Sequence, residues 1–360
     1  MIKPKSKIAI ISQSLGGGGA ERFAGTLSIM LTDMGHEIHH IIIENKIDFE
    51  FTGVVLNLGT TASNLSKIAK ARKIRSYLAS NQIDTIIDNR PRNSFIRDFA
   101  SKLIFGNRIK IYIIHSFNLQ NYLPKSRFLA GILYRNAYKI ICVSKAIEDK
   151  VQREYGFFNT QTIYNSVDLS GQSFSSSKLP EKFILFFGRL DEKVKNFTLL
   201  LDAFALSAIY KKGYKLLIMG DGPDRNLITQ KIENLNLDQE IKITPFQKNP
   251  YNYVKNAAFT VLTSNYEGFP MSLIESLALG TPVVSVDCAS GPSEIIINGK
   301  NGLLVPNQNV NALANALSKL ADDHILYDIC KANAAESVAH LSPQIIAAQW
   351  RSVLTQQNEN

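Results

Sequence analysis

The sequence predicts an α/β protein built of two doubly wound domains facing each other across a cleft, and three observations carry that prediction. Its 360 residues exceed what one hydrophobic core usually serves. Short apolar runs alternate with helical stretches along the whole chain, which is the pattern of parallel strands covered by helices. The alternation stops once, at residues 169–179, where five serines and a glycine cannot bury a core, and then restarts.

In the front half, residues 7–11, 38–43, 85–88, 109–114 and 139–143 read as strands, and the clearest helices run over 21–34 and 64–79. In the back half, residues 183–187, 215–219, 240–244, 259–262, 282–286 and 302–305 read as strands with helices between them. The expected organisation is a domain over residues 1–168, a linker over 169–181, a second domain over 182–340 and a final helix within 341–360 packing back on the first domain. No repeat of the length that builds solenoids or propellers is visible. In such folds the ligand lies at the carboxyl ends of the strands.

Composition narrows the function classes. With 45% hydrophobic and 20% charged residues, neither disorder nor a fibrous repeat fits. The apolar run at residues 8–11 is too short for a secretory signal, and no run approaches a membrane span. Cys142, Cys288 and Cys330 are odd in number and lack zinc or redox spacing, which points to a cytoplasmic address. Charge is uneven: residues 1–170 hold 23 Lys+Arg and 13 Asp+Glu, whereas residues 171–360 hold 17 and 18. The front half therefore attracts anionic surfaces, with phospholipid and nucleic acid both eligible.

Three segments carry chemistry. Gly16-Gly17-Gly18-Gly19-Ala20-Glu21-Arg22 lies between a strand and a helix, so its backbone can approach a phosphate or sugar closely. Its spacing is not that of a dinucleotide loop, although Glu44 ends the next strand where a ribose-binding acid would sit. Gly188-Arg189-Leu190-Asp191-Glu192-Lys193-Val194-Lys195-Asn196 follows the first strand of the back half. Arg189 as a fork and Lys195 as a point charge can both reach one diphosphate, unless this is only a solvated charged loop.

The third segment, Glu267-Gly268-Phe269-Pro270-Met271-Ser272-Leu273-Ile274-Glu275, places two carboxylates around a loop and a helix start. The first can meet sugar hydroxyls and the second a ribose, while helix N–H groups between them receive phosphate oxygens. A structural reading also exists, because Ser272 and Glu275 have capping-box spacing.

Together with Gly280-x-Pro282-Val283-Val284 and Gly220-Asp221-Gly222-Pro223, these segments resemble the retaining family-4 glycosyltransferases of the GT-B fold, of the bacterial surface-glycan type. The resemblance runs from about residue 7 to 350 and implies two Rossmann-like domains. It implies that Arg189 and Lys195 neutralise a donor diphosphate, Glu275 holds the nucleotide ribose and Glu267 contacts the donor sugar. Gly17 and Gly18 match the loop near phosphate and acceptor, Gly268 to Ser272 the donor-binding turn, and His115 the histidine facing the donor sugar. Glu294 occupies another recurrent acidic position, with a helix-capping role as the alternative.

The implied reaction moves a hexose or N-acetylhexosamine from a nucleotide diphosphate sugar, UDP-linked by expectation, to a lipopolysaccharide, capsule or lipid-linked glycan. No Asp-x-Asp stands where a divalent ion would be needed, so the expected enzyme uses no metal or other cofactor. Three positions depart from the family pattern. The Arg-to-Lys spacing is one residue longer than in many members, which makes Lys193 a rival to Lys195; Ser276 replaces the usual alanine and Ser166 the usual glycine.

The segment with Lys67, Lys70, Arg72, Lys73 and Arg75 alternates with Leu65, Ile68, Ala71, Ile74 and Leu78. That describes either a helix lying on anionic lipid at the inner face of the membrane or a packed helix with a solvated basic face. Arg90, Arg92 and Arg97 add charge to the same half. Two other functions fit less of the sequence. A nucleotide-sugar epimerase shares the fold, and a nucleic-acid-binding protein would use the basic front half but leave the Glu267–Glu275 segment idle.

Overall fold

A computed structural model describes residues 6–169 and 179–355, so most of the expected linker lies outside the described residues. The chain divides into two compact units, one within Met1–Ser166 and Pro343–Asn360, the other within Val167–Ser342.

The first unit is built on seven parallel strands: β1 (Lys7–Ser12), β2 (Glu37–Ile42), β3 (Val54–Asn57), β4 (Thr85–Asp88), β5 (Ile109–Ile114), β6 (Lys139–Cys142) and β7 (Thr160–Thr162). Their order is β3-β2-β1-β4-β5-β6-β7, with Ile10 opposite both His40 and Ile87. The second unit holds six parallel strands: β8 (Phe183–Phe187), β9 (Lys215–Met219), β10 (Ile241–Thr244), β11 (Phe259–Leu262), β12 (Val283–Asp287) and β13 (Gly302–Pro306). Their order, β10-β9-β8-β11-β12-β13, repeats the doubly wound scheme. Central strands such as Ile8-Ala9-Ile10-Ile11 and Ile184-Leu185-Phe186 are fully buried, because helices cover both faces of a parallel sheet.

Strand order reverses between β1 and β4 in one unit and between β8 and β11 in the other. Ligands of open α/β sheets bind at such points, outside the carboxyl ends of the strands. Each of the three motif segments leaves a strand that borders one of these reversals.

Two strands have no counterpart in the sequence reading, β3 and β7. Both are sheet edges, where one side lacks a neighbour and a short polar run such as Thr160-Gln161-Thr162 suffices. The final helix, Pro343–Thr355, belongs to the first unit: Trp350 is fully buried with its ring 6.3 Å from Phe23, and the Tyr138 hydroxyl donates to the Val353 carbonyl at 3.0 Å.

Packing bears on two readings of basic residues and corrects the second. In the helix Lys67–Ser80, Ile74 and Leu78 pack into a core with Leu56, Ile83, Ile86 and Phe105, so the later half of its apolar stripe faces protein, while Leu65 and Ile68 at its start stay exposed. Arg92 is only 2% exposed; its guanidinium donates to the carbonyls of Asp88, Arg90 and Ile113 and lies 5.0–5.7 Å from the rings of Tyr112, Tyr122 and Tyr134. Arg90 forks onto the buried Asp88 carboxylate at 2.7 and 2.9 Å. These two arginines hold the loop after β4 and add little outward charge.

Candidate donor and acceptor sites

In the second unit, the loops after β8 and β11 are stitched together. The Thr263 hydroxyl donates to the Lys195 carbonyl at 2.8 Å, the Asn265 backbone N–H to the Val194 carbonyl at 2.8 Å, and the Asn265 amide to the Lys193 carbonyl at 2.9 Å. Across this seam the Lys195 ammonium donates to Glu267 Oε1 at 2.6 Å, and the Ser264 hydroxyl donates to the same oxygen at 2.6 Å. The pair is largely shielded, with 18% of the Lys195 side chain and 12% of the Glu267 side chain exposed. Lys193 points to solvent, so the structure joins Lys195 and not its rival to the acid.

Local sequence explains why the loop presents these groups. Asp191 caps the short helix Glu192–Lys195 by accepting from the Val194 N–H, and Asn196, at φ 51°, ends that helix and caps the next through the Leu199 N–H. Arg189 stands just ahead, exposed and without an ion pair among the described residues. Its loop lies against the turn after β9, where a Cβ on Gly220 would sit 1.8 Å from the Gly188 carbonyl oxygen and one on Gly222 2.2 Å from that of Leu190. Only glycine permits that approach.

The helix Met271–Ala278 begins behind Pro270, and no side chain caps it. Ser272 is therefore its second residue and not its cap, which rules out the capping-box reading of Ser272 and Glu275. The first N–H groups of this helix remain available to an anion. Gly268 and Phe269 are buried, and the Gly268 carbonyl accepts from the Ser290 hydroxyl at 2.8 Å. Glu275 lies one turn into the helix at 3% exposure. Ser276 is buried with its hydroxyl satisfied: it donates to the Ser272 carbonyl at 2.6 Å and accepts from the Thr260 hydroxyl at 2.8 Å. Glu294 lies in the first turn of the helix Pro292–Ile295.

In the first unit, Gly17 takes φ 96° and Gly18 is the extended N-cap of the helix Gly19–Asp33, again with no side-chain cap. The glycines leave room for neighbouring side chains to close on the loop, and the Glu21 carboxylate stands 2.6 Å from where a Gly18 Cβ would be. Lys46, which the sequence reading passed over, extends its ammonium across this loop, 2.8 Å from where a Gly17 Cβ would stand. Glu44 accepts from the Gln13 amide at 2.5 Å, which occupies one of its oxygens beside the loop.

His115 follows β5, and its Nε2 lies 2.5 Å from Asn89 Oδ1. Because the Asn89 amide nitrogen donates to the Ala20 carbonyl at 2.7 Å, the oxygen faces the imidazole and must accept. Nε2 therefore carries the proton and Nδ1 keeps its lone pair. Burial, and then the Arg92 cation, hold the imidazole pKa down to about 3. A depressed pKa keeps the ring neutral above that value, so His115 acts as a neutral hydrogen-bond partner. Its titration is expected to be absent from the pH profile of kcat/KM between about pH 5 and pH 8. Nitrogen-15 NMR of the histidines in that range should show an Nε2-H tautomer for His115, mixed in Asn89→Ala; an imidazolium pattern near pH 5 would refute this.

Two parallel doubly wound sheets, each with a glycine-containing loop at its reversal of strand order, define the class of fold: this is the two-domain GT-B fold. The chain spans nearly the whole length of two relatives. It is 33% identical over 344 residues to the N-acetylgalactosamine-N,N'-diacetylbacillosaminyl-diphospho-undecaprenol 4-alpha-N-acetylgalactosaminyltransferase of Campylobacter jejuni, covering 88% of this chain and 90% of that one. It is 23% identical to the amylovoran biosynthesis glycosyltransferase AmsD of Erwinia amylovora, covering 94% and 96%. The crystal structure of Anabaena HepE in complex with UDP and glucose superposes with a TM-score of 0.79 at 18% identity, covering 98% of this chain and all of that one.

Residues 172–337 match the family described as Glycosyl transferases group 1, and residues 17–170 match Glycosyltransferase Family 4. The chain belongs to this family of GT-B glycosyltransferases, of the bacterial surface-glycan type. Neither relative is an epimerase or a nucleic-acid-binding protein, and those two readings are not favoured.

Proposed function

We propose that the enzyme transfers a hexose or N-acetylhexosamine, with retention, from a UDP-linked sugar to a lipid-linked, lipopolysaccharide or capsule glycan. The observation that carries this reading is the Lys195–Glu267 pair, closed across the two strand-end loops at the reversal point, with Arg189 in the same loop. Glycosyl transfer builds positive charge at the anomeric carbon and negative charge on the departing diphosphate. Arg189, Lys195 and the uncapped helix start at Met271 would carry the leaving-group charge, so the reaction needs no metal ion. Glu267, anchored by Lys195 and Ser264, would meet the donor sugar hydroxyls, and Glu275 the ribose. Gly17, Gly18 and neutral His115 would face the acceptor and donor sugar.

The comparisons support the coarser part, since one relative is named for a diphospho-undecaprenol substrate and an alpha linkage, and a solved neighbour holds UDP. A lipid-linked acceptor implies work at a membrane surface. No described helix is long and apolar enough to cross one.

The test is a panel of nucleotide sugars screened by thermal shift, with transfer to a lipid-linked acceptor followed in parallel with and without EDTA. A UDP-sugar is expected to stabilise the protein, Arg189→Ala and Glu275→Ala to abolish that shift with the fold intact, and EDTA to leave the rate unchanged. An unaltered shift in both variants would count against the assignment, and a chelator-sensitive rate against metal independence.

A further inference from the structure

The strongest unexplained surface of the first unit is apolar and lies beside the helix that the sequence marks as basic. On the helix Phe95–Phe105, Ile96 is 83% exposed, Phe99 40% and Leu103 64%. Their spacing of three and four residues puts them on one outward stripe. The neighbouring helix, Arg127–Tyr134, adds Phe128 at 75% and Ile132 at 38%, one turn apart. The two helices are tied together by the Lys102 ammonium, which donates to the Ile132 carbonyl at 2.5 Å. Water-exposed large side chains in one contiguous group mark a contact surface in a globular protein.

The charge around this stripe is of one sign. Residues 58–139 hold 15 Lys+Arg and 3 Asp+Glu, a net of +12. All three acids are engaged: Asp88 by Arg90 at 2.7 Å, Asp84 by the Lys7 N–H at 2.9 Å, and Asp98, 5% exposed, beside Arg97 at 3.5 Å. Arg97, Lys125, Arg127 and Arg135 are exposed at the rim, and Lys67, Arg72 and Arg75 on the adjoining helix.

We infer that the helices Phe95–Phe105 and Arg127–Tyr134 form a docking face for an anionic phospholipid bilayer, with Ile96, Phe99, Leu103 and Phe128 entering the interface and the surrounding cations meeting lipid phosphates. Apolar side chains ringed by Lys and Arg suit a surface that is anionic outside and hydrocarbon beneath. A second copy of the chain would bring this cationic rim against its own like. Nucleic acid would satisfy the cations but bury neither Ile96 nor Leu103. The inference deepens, and for its purpose rests on, the reading of a membrane-held acceptor. It also extends the contact from the helix Lys67–Ser80, whose Ile74 and Leu78 are in the core while Ile68 stays exposed, to its neighbours.

Flotation of the full chain with phosphatidylglycerol vesicles and with phosphatidylcholine vesicles tests it, without donor or acceptor. Binding to the anionic vesicles is expected, and the double variant Ile96→Ser, Phe128→Ser should lower the partition coefficient about tenfold or more. Far-UV circular dichroism checks that this surface variant is folded. Equal binding by the variant, with loss confined to Lys67→Ala, Arg72→Ala, would overturn the docking face in favour of simple charge attraction by the adjoining helix. So would capture by single-stranded DNA and not by vesicles. Because neither substrate is present, failure here leaves the transferase reading intact, and failure of transfer leaves the vesicle result standing.

Discussion

Lys195→Ala is expected to lower kcat/KM for the nucleotide sugar by roughly 10²–10³-fold, the scale of removing one preorganised group from a developing negative charge. On the proposed function the substitution removes a cation already held in place: its ammonium stands 2.6 Å from Glu267, and only 18% of its side chain is exposed. Little reorganisation is then needed when the diphosphate departs. Glu267 loses its partner in the same variant and keeps only the Ser264 hydroxyl, so donor-sugar positioning suffers as well. Lys193→Ala, at an exposed position in the same loop, should change kcat/KM by no more than about fivefold. Steady-state kinetics on both variants decide the matter, and equal losses would mean that the pairing seen here does not select the acting lysine.

Arg92→Met is expected to destabilise the first unit by about 3 kcal/mol or more. Methionine matches much of the volume but leaves the carbonyls of Asp88, Arg90 and Ile113 without the donors they have now, in a site that water does not reach. It also withdraws the cation from the faces of three tyrosines. Because the chain forms two units, the loss should appear as an earlier first transition in urea, with the second unit unmoved. Asn89 lies in the loop that Arg92 holds, so the His115 tautomer signal should broaden in the same variant. An unchanged urea profile would show that the three carbonyls find other partners.

Both the architecture and the charged loop after β8 were legible in the sequence for related reasons. Strands buried on both faces must be continuous apolar runs, and Phe183–Phe187, Lys215–Met219 and Ile109–Ile114 have the bounds read from sequence. The glycine and charge pattern after β8 follows from what a backbone needs in order to pack closely on the next turn and to set a cation at a strand end. The edge strands β3 and β7 were not legible, since an edge imposes no two-sided burial. Lys46 and Asn89 were missed because each is a single polar residue with no motif around it. What marks them is the chain brought beside them, the Gly17 turn for Lys46 and Ala20 and His115 for Asn89.

By itself the sequence determined the two α/β units, the glycine- and charge-rich loops at the strand ends and the excess of positive charge in the front half, because all three depend on residue type and local spacing. Tertiary structure alone decided that Lys195 rather than Lys193 meets Glu267, and that Ser272 does not cap the helix carrying Glu275. It also decided that Arg92 is buried under tyrosines while Ile96 and Phe128 are left in water. The physical reason is the same each time: burial and pairing depend on which distant segment packs against a side chain, and local pattern does not encode that neighbour.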